Sequence, residues 1–191
     1  MNLLLGVTGG IAAYKACELT SLAVKAGHAV QVLMTRHATR FVGPLTFEGL
    51  SGRPPFVGDD HLAPGRAMSH IDLAKWADVA VVAPLTASTL GRIAGGIADD
   101  ALTTTLLALP AAVPVVPGPA MNTEMWLHPL VQRNLDILRA AGRYTVVEPV
   151  VKRLACGDFG PGGLAEPATF LATAERLARA RRAAAPGSTP A

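Results

Sequence analysis

Leu3-Leu4-Leu5-Gly6-Val7-Thr8-Gly9-Gly10-Ile11-Ala12-Ala13-Tyr14-Lys15 reads as strand, turn and helix, and the rest of the chain repeats that pattern. Residues 3–7 are a short apolar run, the mark of a strand buried on both faces. Thr8-Gly9-Gly10 is a turn, and residues 11–26 carry apolar positions at helical spacing until Gly27 stops them. Strands are expected again at 29–34, 79–83, 113–116 and 144–147. Helices are expected at 36–50 (interrupted by Gly43-Pro44), 87–97, 99–109, 123–141 and 168–182, with Trp76-Ala77-Asp78 closing another. Residues 53–69 and 150–167 read as two long loops, and 183–191 as a disordered Ala/Pro/Gly/Ser tail behind a single domain over 1–182. Alternating βα units predict an α/β fold: a doubly wound parallel sheet in three layers, with ligands at the carboxyl ends of the strands.

The composition narrows the function classes. The chain has 191 residues, 50% hydrophobic, 16% charged and 5% aromatic, with a mean hydropathy of +0.35. No stretch reaches the ~18 consecutive apolar residues of a spanning helix. The longest, 101–117, contains three threonines and is cut by Pro110 and Pro114, so no membrane role is expected. Abundant apolar residues with little charge point to a buried protein–protein surface, hence an oligomer. The net charge is only +3, and Arg176, Arg179, Arg181 and Arg182 read as a solvated helix face. No basic stripe interleaved with aromatics is present, so no nucleic-acid partner is expected. Cys17 and Cys156 are too isolated for a disulfide framework or a zinc site, and no metal is expected. The segment Met1-Asn2-Leu3-Leu4-Leu5-Gly6 lacks a basic n-region and a cleavage site, which makes cytoplasmic the default.

Candidate functional residues follow the strands. Gly9 and Gly10 let a backbone approach a phosphate at a helix N-terminus, though the spacing is neither GxGxxG nor Walker A. A tight turn alone explains those glycines equally well. Thr35 offers a hydroxyl after the second strand, and Pro84-Leu85-Thr86-Ala87-Ser88-Thr89 offers three after the third. His70, at the exit of the first long loop, titrates nearest neutral pH, although a lone His is more often structural. Cys156 lies in a Gly/Pro-rich loop, where a mobile thiol is plausible; Cys17 fits a small buried hydrophobe better.

Taken in order, these segments resemble one family. Thr8-Gly-Gly-Ile-Ala-Ala-Tyr-Lys15, Ser69-His70-Ile71, Pro84-Leu-Thr-Ala-Ser-Thr89, Ile97-Ala-Asp-Asp100, Pro119-Ala-Met-Asn122 and Ala155-Cys-Gly-Asp-Phe-Gly160 resemble the homo-oligomeric flavin-containing cysteine decarboxylases. That family includes phosphopantothenoylcysteine decarboxylase and the lantibiotic-type peptidyl-cysteine decarboxylases. The resemblance implies flavodoxin-like (Rossmann-like) subunits assembled as trimers, also as dodecamers, with FMN between subunits and FAD as the alternative cofactor. It assigns Gly9, Gly10, Ile11, Thr35, Thr86, Ala87, Ser88 and Thr89 to the flavin. Ala120, Met121 and Asn122 fall to the substrate carboxylate, His70 and Cys156 to catalysis, and 150–167 to a clamp over substrate.

The implied chemistry is oxidation of the cysteinyl Cβ to a thioaldehyde, loss of CO₂ to give an enethiolate, and proton handling by His70. Cys156 would protonate the intermediate on its reduction to a saturated thiol; members lacking that cysteine release the enethiol. Ser88 replaces the family's usual Asn, and Gly162-Gly163-Leu164 replaces the Gly-Arg-Met usual in the pantothenate enzymes. The bacterial pantothenate enzyme is also usually fused to a ligase domain, and none is present here. These departures favour an enzyme that decarboxylates the C-terminal cysteine of a ribosomal peptide precursor to an aminoenethiol. The alternative is phosphopantothenoylcysteine decarboxylase of coenzyme A biosynthesis, which retention of Cys156 and Pro-Ala-Met-Asn supports. A flavin prenyltransferase and a non-catalytic flavin-binding subunit rank below both.

Overall fold

A computed structural model describes residues 1–59 and 69–184. In chain order the elements are β1 (Asn2–Val7), α1 (Tyr14–Lys25), β2 (Ala29–Met34), α2 (Pro44–Ser51), β3 (Phe56–Val57), α3 (His70–Trp76), β4 (Val79–Leu85) and α4 (Ala87–Ala94). Then follow α5 (Ala101–Ala108), β5 (Val115–Pro119), α6 (Thr123–Leu127), α7 (Pro129–Ala140), β6 (Val150–Arg153), β7 (Phe159–Gly163) and α8 (Pro167–Ala184). Five strands form a parallel sheet in the order β3-β2-β1-β4-β5, and β6 and β7 pair separately as an antiparallel hairpin. This is the doubly wound, flavodoxin-like architecture expected from the sequence. Connections run outward from β1 to β3 and then cross to β4, so the topological switch point lies between β1 and β4.

The period-2 alternation of strand side chains divides the core into two layers. Leu3, Leu5 and Val7 of β1 face the side covered by α1, α2 and α8, together with Phe47, Phe170 and Ala174. Leu4 faces the other side, where Leu73, Leu102, Leu106, Leu135 and Leu138 come from α3, α5 and α7. Both faces of the sheet are therefore dry, which is why the strands read as unbroken apolar runs. Gly118 of β5 shows how close the packing is: a Cβ there would run into the Phe170 ring, which lies against the strand backbone.

Several elements differ from the sequence reading. The helix expected at 36–50 is a 3-10 turn (Ala38–Arg40) and α2, separated where Gly43-Pro44 interrupts the pattern. The helix expected at 123–141 is broken at His128, because Pro129 takes the first position of a new helix. Residues 144–147 do not form a strand; Tyr144 makes a single bridge to Val115, and Val147 donates to the Pro117 carbonyl. The loop expected at 53–69 contains β3 at its start, and its 60–68 portion lies outside the described residues. The loop expected at 150–167 is the β6–β7 hairpin, whose second strand Phe159-Gly-Pro-Gly-Gly163 looked too rich in Gly and Pro for a strand. Helix α8 extends to Ala184, two residues into the expected tail; 185–191 lie outside the described residues.

Phe170 ties α8 to β5 and is only 1% exposed. Phe170→Ala is therefore expected to destabilise the chain by about 3–5 kcal/mol in urea unfolding. A loss below about 1 kcal/mol would mean that α8 is not docked on β5 as described.

Candidate functional site

The site is built at the switch point. Thr8, fully buried after β1, donates its hydroxyl to the Pro84 carbonyl at 2.8 Å and accepts from the Thr86 N–H at 3.0 Å. That hydroxyl ties the carboxyl end of β1 to that of β4. Thr86 is in turn the N-cap of α4, its Oγ1 accepting from the Thr89 N–H. Beside it the chain turns through Gly9 and Gly10 into a 3-10 turn (Ile11–Ala13) and α1. A Cβ on Gly9 would collide with His37, so glycine lets the β1–α1 turn sit on the turn that follows Thr35.

The hairpin closes the opposite side. Met121 donates its N–H to the Gly162 carbonyl at 3.0 Å, and Thr123 donates its hydroxyl to the Pro161 carbonyl at 2.9 Å. Gly162 has φ +130, and a Cβ there would strike the Met121 carbonyl, so only glycine allows strand β7 to lie on this backbone. Asn122 caps α6, its Oδ1 accepting from the Met125 N–H at 2.9 Å. An acceptor is required there, which assigns the oxygen and turns the Nδ2 donors away from the helix.

Between these walls lies a cavity of about 420 Å³. Gly9, Gly10, Ile11, Thr86 and Ala87 line one side of it. Across from it stand Ala120, Met121 and Asn122, with Lys152, Arg153 and Cys156 among the hairpin residues that also line the cavity. The exposed Cys156 thiol donates to Asp158 Oδ2 at 3.3 Å across the hairpin tip.

Four expected residues stand elsewhere. Thr35 accepts from the Ala38 N–H and reaches the site only through the neighbouring His37–Gly9 contact. Thr89 is buried beneath Thr86, and Ser88 is exposed, its Oγ accepting from Arg92 at 2.6 Å. His70 begins α3, in the layer opposite α1, and does not line this cavity.

Besides the residues assigned from sequence, the site draws on Thr8 and Lys15, the two ends of the first motif, and on Met125 and Lys152. Lys15, nearly buried in the first turn of α1, donates to Glu166 Oε1 at 2.7 Å and tethers the hairpin's exit to that helix. The Lys15 ammonium holds the Glu166 carboxyl below the usual carboxylate range. Burial, and then the like charge of Lys15, push Lys152 below the usual lysine range.

The lining is mostly apolar, with a hydroxyl and an amide at its edges, and Ile11 and Tyr14 are about 60% exposed at the mouth. A flat aromatic ring with polar margins fits this donor set. Among the described residues no three His, Cys, Asp or Glu side chains gather as for a metal, and no helix is long and apolar enough to cross a membrane.

Comparison with known proteins agrees with the geometry. The family model described as Flavoprotein matches residues 1–178. The coenzyme A biosynthesis bifunctional protein CoaBC of Bacillus subtilis is 50% identical over 175 residues, covering 92% of this chain and 42% of that protein. The chain thus spans about two fifths of the curated relatives it matches. Among solved structures, a PPC decarboxylase variant complexed with pantothenoylaminoethenethiol is similar with a TM-score of 0.80 at 35% identity, covering 92% of this chain and 97% of that one. The FMN-dependent cysteine decarboxylase SpaF is similar with a TM-score of 0.78 at 37% identity, covering 94% and 97%.

Because the Thr8 hydroxyl serves both strand ends, Thr8→Val leaves the half-buried Thr86 N–H without the acceptor it has at 3.0 Å. The variant is expected to lose about 1–3 kcal/mol in denaturant unfolding. Unchanged stability would show that the bridge does not hold the two strand ends together.

Proposed function

The chain belongs to the flavoprotein family, and on that premise we propose that it is a flavin-dependent decarboxylase acting on the cysteinyl carboxylate of phosphopantothenoylcysteine, a step of coenzyme A biosynthesis. The observation that carries this reading is one cavity bounded by the glycine turn, Asn122 and the thiol of Cys156. This reverses the order of the two substrates expected from sequence. The 50% identical relative is a coenzyme A biosynthesis protein, whereas the peptide reading rested on departures that the geometry weakens. Ser88 faces Arg92 instead of the cavity, and the glycine at 163 leaves the space beside Lys152.

FMN would be held by Gly9, Gly10 and Ile11 on one side and by Thr86 and Ala87 at the start of α4 on the other. Bound there, it supplies the two-electron oxidation that gives the electron pair left by departing CO₂ a place to delocalise. Asn122 orients the carboxylate through its Nδ2 donors, since its Oδ1 is held by the helix cap. The apolar wall of Ile11, Met121 and Leu154 excludes water from the reacting carbon. Cys156, on the hairpin tip beside Asp158, delivers the proton that converts the enethiol to the saturated thiol on reduction.

His70 takes the thiol proton, and because it lies in the opposite layer of its own chain, it serves the cavity of a second copy. Exposed Phe41 and Leu45 on one side, and Ile71 and Leu107 on the other, supply unlike apolar surfaces for such a head-to-tail homo-oligomer.

Mass spectrometry of the product from 4′-phosphopantothenoylcysteine tests the reading. The protein as it stands should release the saturated thiol, lighter than substrate by one CO₂, and Cys156→Ser should accumulate the enethiol, lighter by two further hydrogens. Failure to release CO₂ would contradict the substrate assignment, and a saturated product from Cys156→Ser would remove the thiol from the mechanism.

A further inference from the structure

Lys152 and Gly163 share one space in the hairpin. Strands β6 and β7 pair with a slip between Val150 and Val151, which sets Lys152 opposite Gly160 and Val150 opposite Gly163. The Lys152 stem nevertheless leans over Gly163. A side chain begun there would meet Lys152 Cγ at 2.8 Å and Cδ at 2.9 Å, closer than real Cβ atoms approach their neighbours, so the lysine stem would have to move. Gly163 is not among the glycines with positive φ, so its backbone does not demand glycine. What the missing side chain provides is room for the lysine.

The ammonium that this room accommodates is weakly served by the chain itself. Its hydrogen bond, to the Leu164 carbonyl, is long at 3.5 Å. Lys15 beside it is paired with Glu166, and Arg153, next to Lys152 in β6, also lines the cavity, so three cations and one carboxylate leave this wall net positive. Both lysines line the cavity, as does Asn122, and the Met121–Gly162 hydrogen bond holds β7 against the segment that carries Asn122. Desolvation and the like charge of Lys15 disfavour the charged form of Lys152, with Glu166 opposing them in part, so the opposite charge of an arriving anion offsets that penalty.

Resting on the decarboxylase reading above, we propose that Lys152 is a specificity-determining residue that binds an oxyanion of the substrate, either the cysteinyl carboxylate or the terminal phosphate. Residue 163 is glycine so that this cation can reach the cavity from the opposite strand. A hydrogen-bonded contact from a charged donor in a partly desolvated site corresponds to about 10- to 100-fold in affinity.

The test uses the flavin-loaded protein and Lys152→Met, which keeps the stem and removes the charge. KM and kcat are measured with 4′-phosphopantothenoylcysteine and with unphosphorylated pantothenoylcysteine. Calorimetry reads the affinity for 4′-phosphopantothenate and pantothenate. Lys152→Met should raise KM about 10-fold or more while kcat falls less. Equal losses on both substrates would identify the carboxylate as the bound anion; a loss confined to the phosphorylated one would identify the phosphate. The exchange Lys152→Gly with Gly163→Arg, which returns a cation from the other strand, should recover most of the affinity.

If Lys152→Met leaves KM and affinity within about twofold of the starting protein, Lys152 has no such role, whatever the turnover. If the starting protein turns over neither substrate, the decarboxylase reading fails by itself and calorimetry decides the proposal. Weaker binding by Lys152→Met then upholds an anion subsite; equal or absent binding in both proteins overturns it.

Discussion

A single buried hydroxyl sets the geometry on which the site depends. Thr8 Oγ1 gives its proton to the Pro84 carbonyl and takes the Thr86 N–H, bridging the two strand ends between which the sheet reverses direction. The Pro84 carbonyl also accepts the Thr8 N–H at 3.3 Å, so residue 8 holds the end of β4 through both its backbone and its hydroxyl. The bridge therefore fixes the separation between the glycine turn that enters α1 and the capped start of α4. The cavity opens between those two helix starts and the β6–β7 hairpin.

The other half of the site depends on backbone packing. Glycine at 160 and 162 lets β7 lie directly on residues 121–123, where a Cβ would strike Thr123 or the Met121 carbonyl. The hairpin is thus held at its base by main-chain hydrogen bonds and by the Lys15–Glu166 ion pair, while its tip, residues 154–158, carries the exposed Cys156. A fixed base with a projecting tip suits the proposed approach of the Cys156 thiol to a substrate in the cavity. The wall is largely apolar, so the few charges it holds, above all Lys15 and Lys152, weigh more there than on the open surface.

Much of the fold was legible because its strands are buried on both faces and announce themselves as apolar runs at 3–7, 29–34 and 79–83. The β6–β7 hairpin was not, because glycine there is chosen for close approach to another backbone and resembles loop composition. Residues 144–147 read as a strand on apolar content, yet tertiary context leaves them a single bridge. The break before α7 had a visible signal in Pro129, and the continuous helical pattern on either side masked it.

The site was legible where motifs follow strands: Gly10, Thr86, Asn122 and Cys156 stand at one cavity. The individual roles of Thr8, Lys15 and Lys152 were not legible, because they come from partners 78, 151 and 12 residues away in the chain. Gly163 is the clearest instance. On sequence alone it counted against a phosphorylated substrate, yet in the structure a lysine from the facing strand occupies its side-chain space. A substituted position in a hairpin is read correctly only together with the residue packed over it.

The central claim is the substrate class, and the most direct measurement is kcat/KM for 4′-phosphopantothenoylcysteine against a peptide ending in cysteine, on the same flavin-loaded preparation. Clear preference for phosphopantothenoylcysteine is expected, since the cation-bearing wall and the projecting thiol suit a small anionic substrate that leaves as a saturated thiol. Preference for the peptide, with an enethiol as its product, would contradict it.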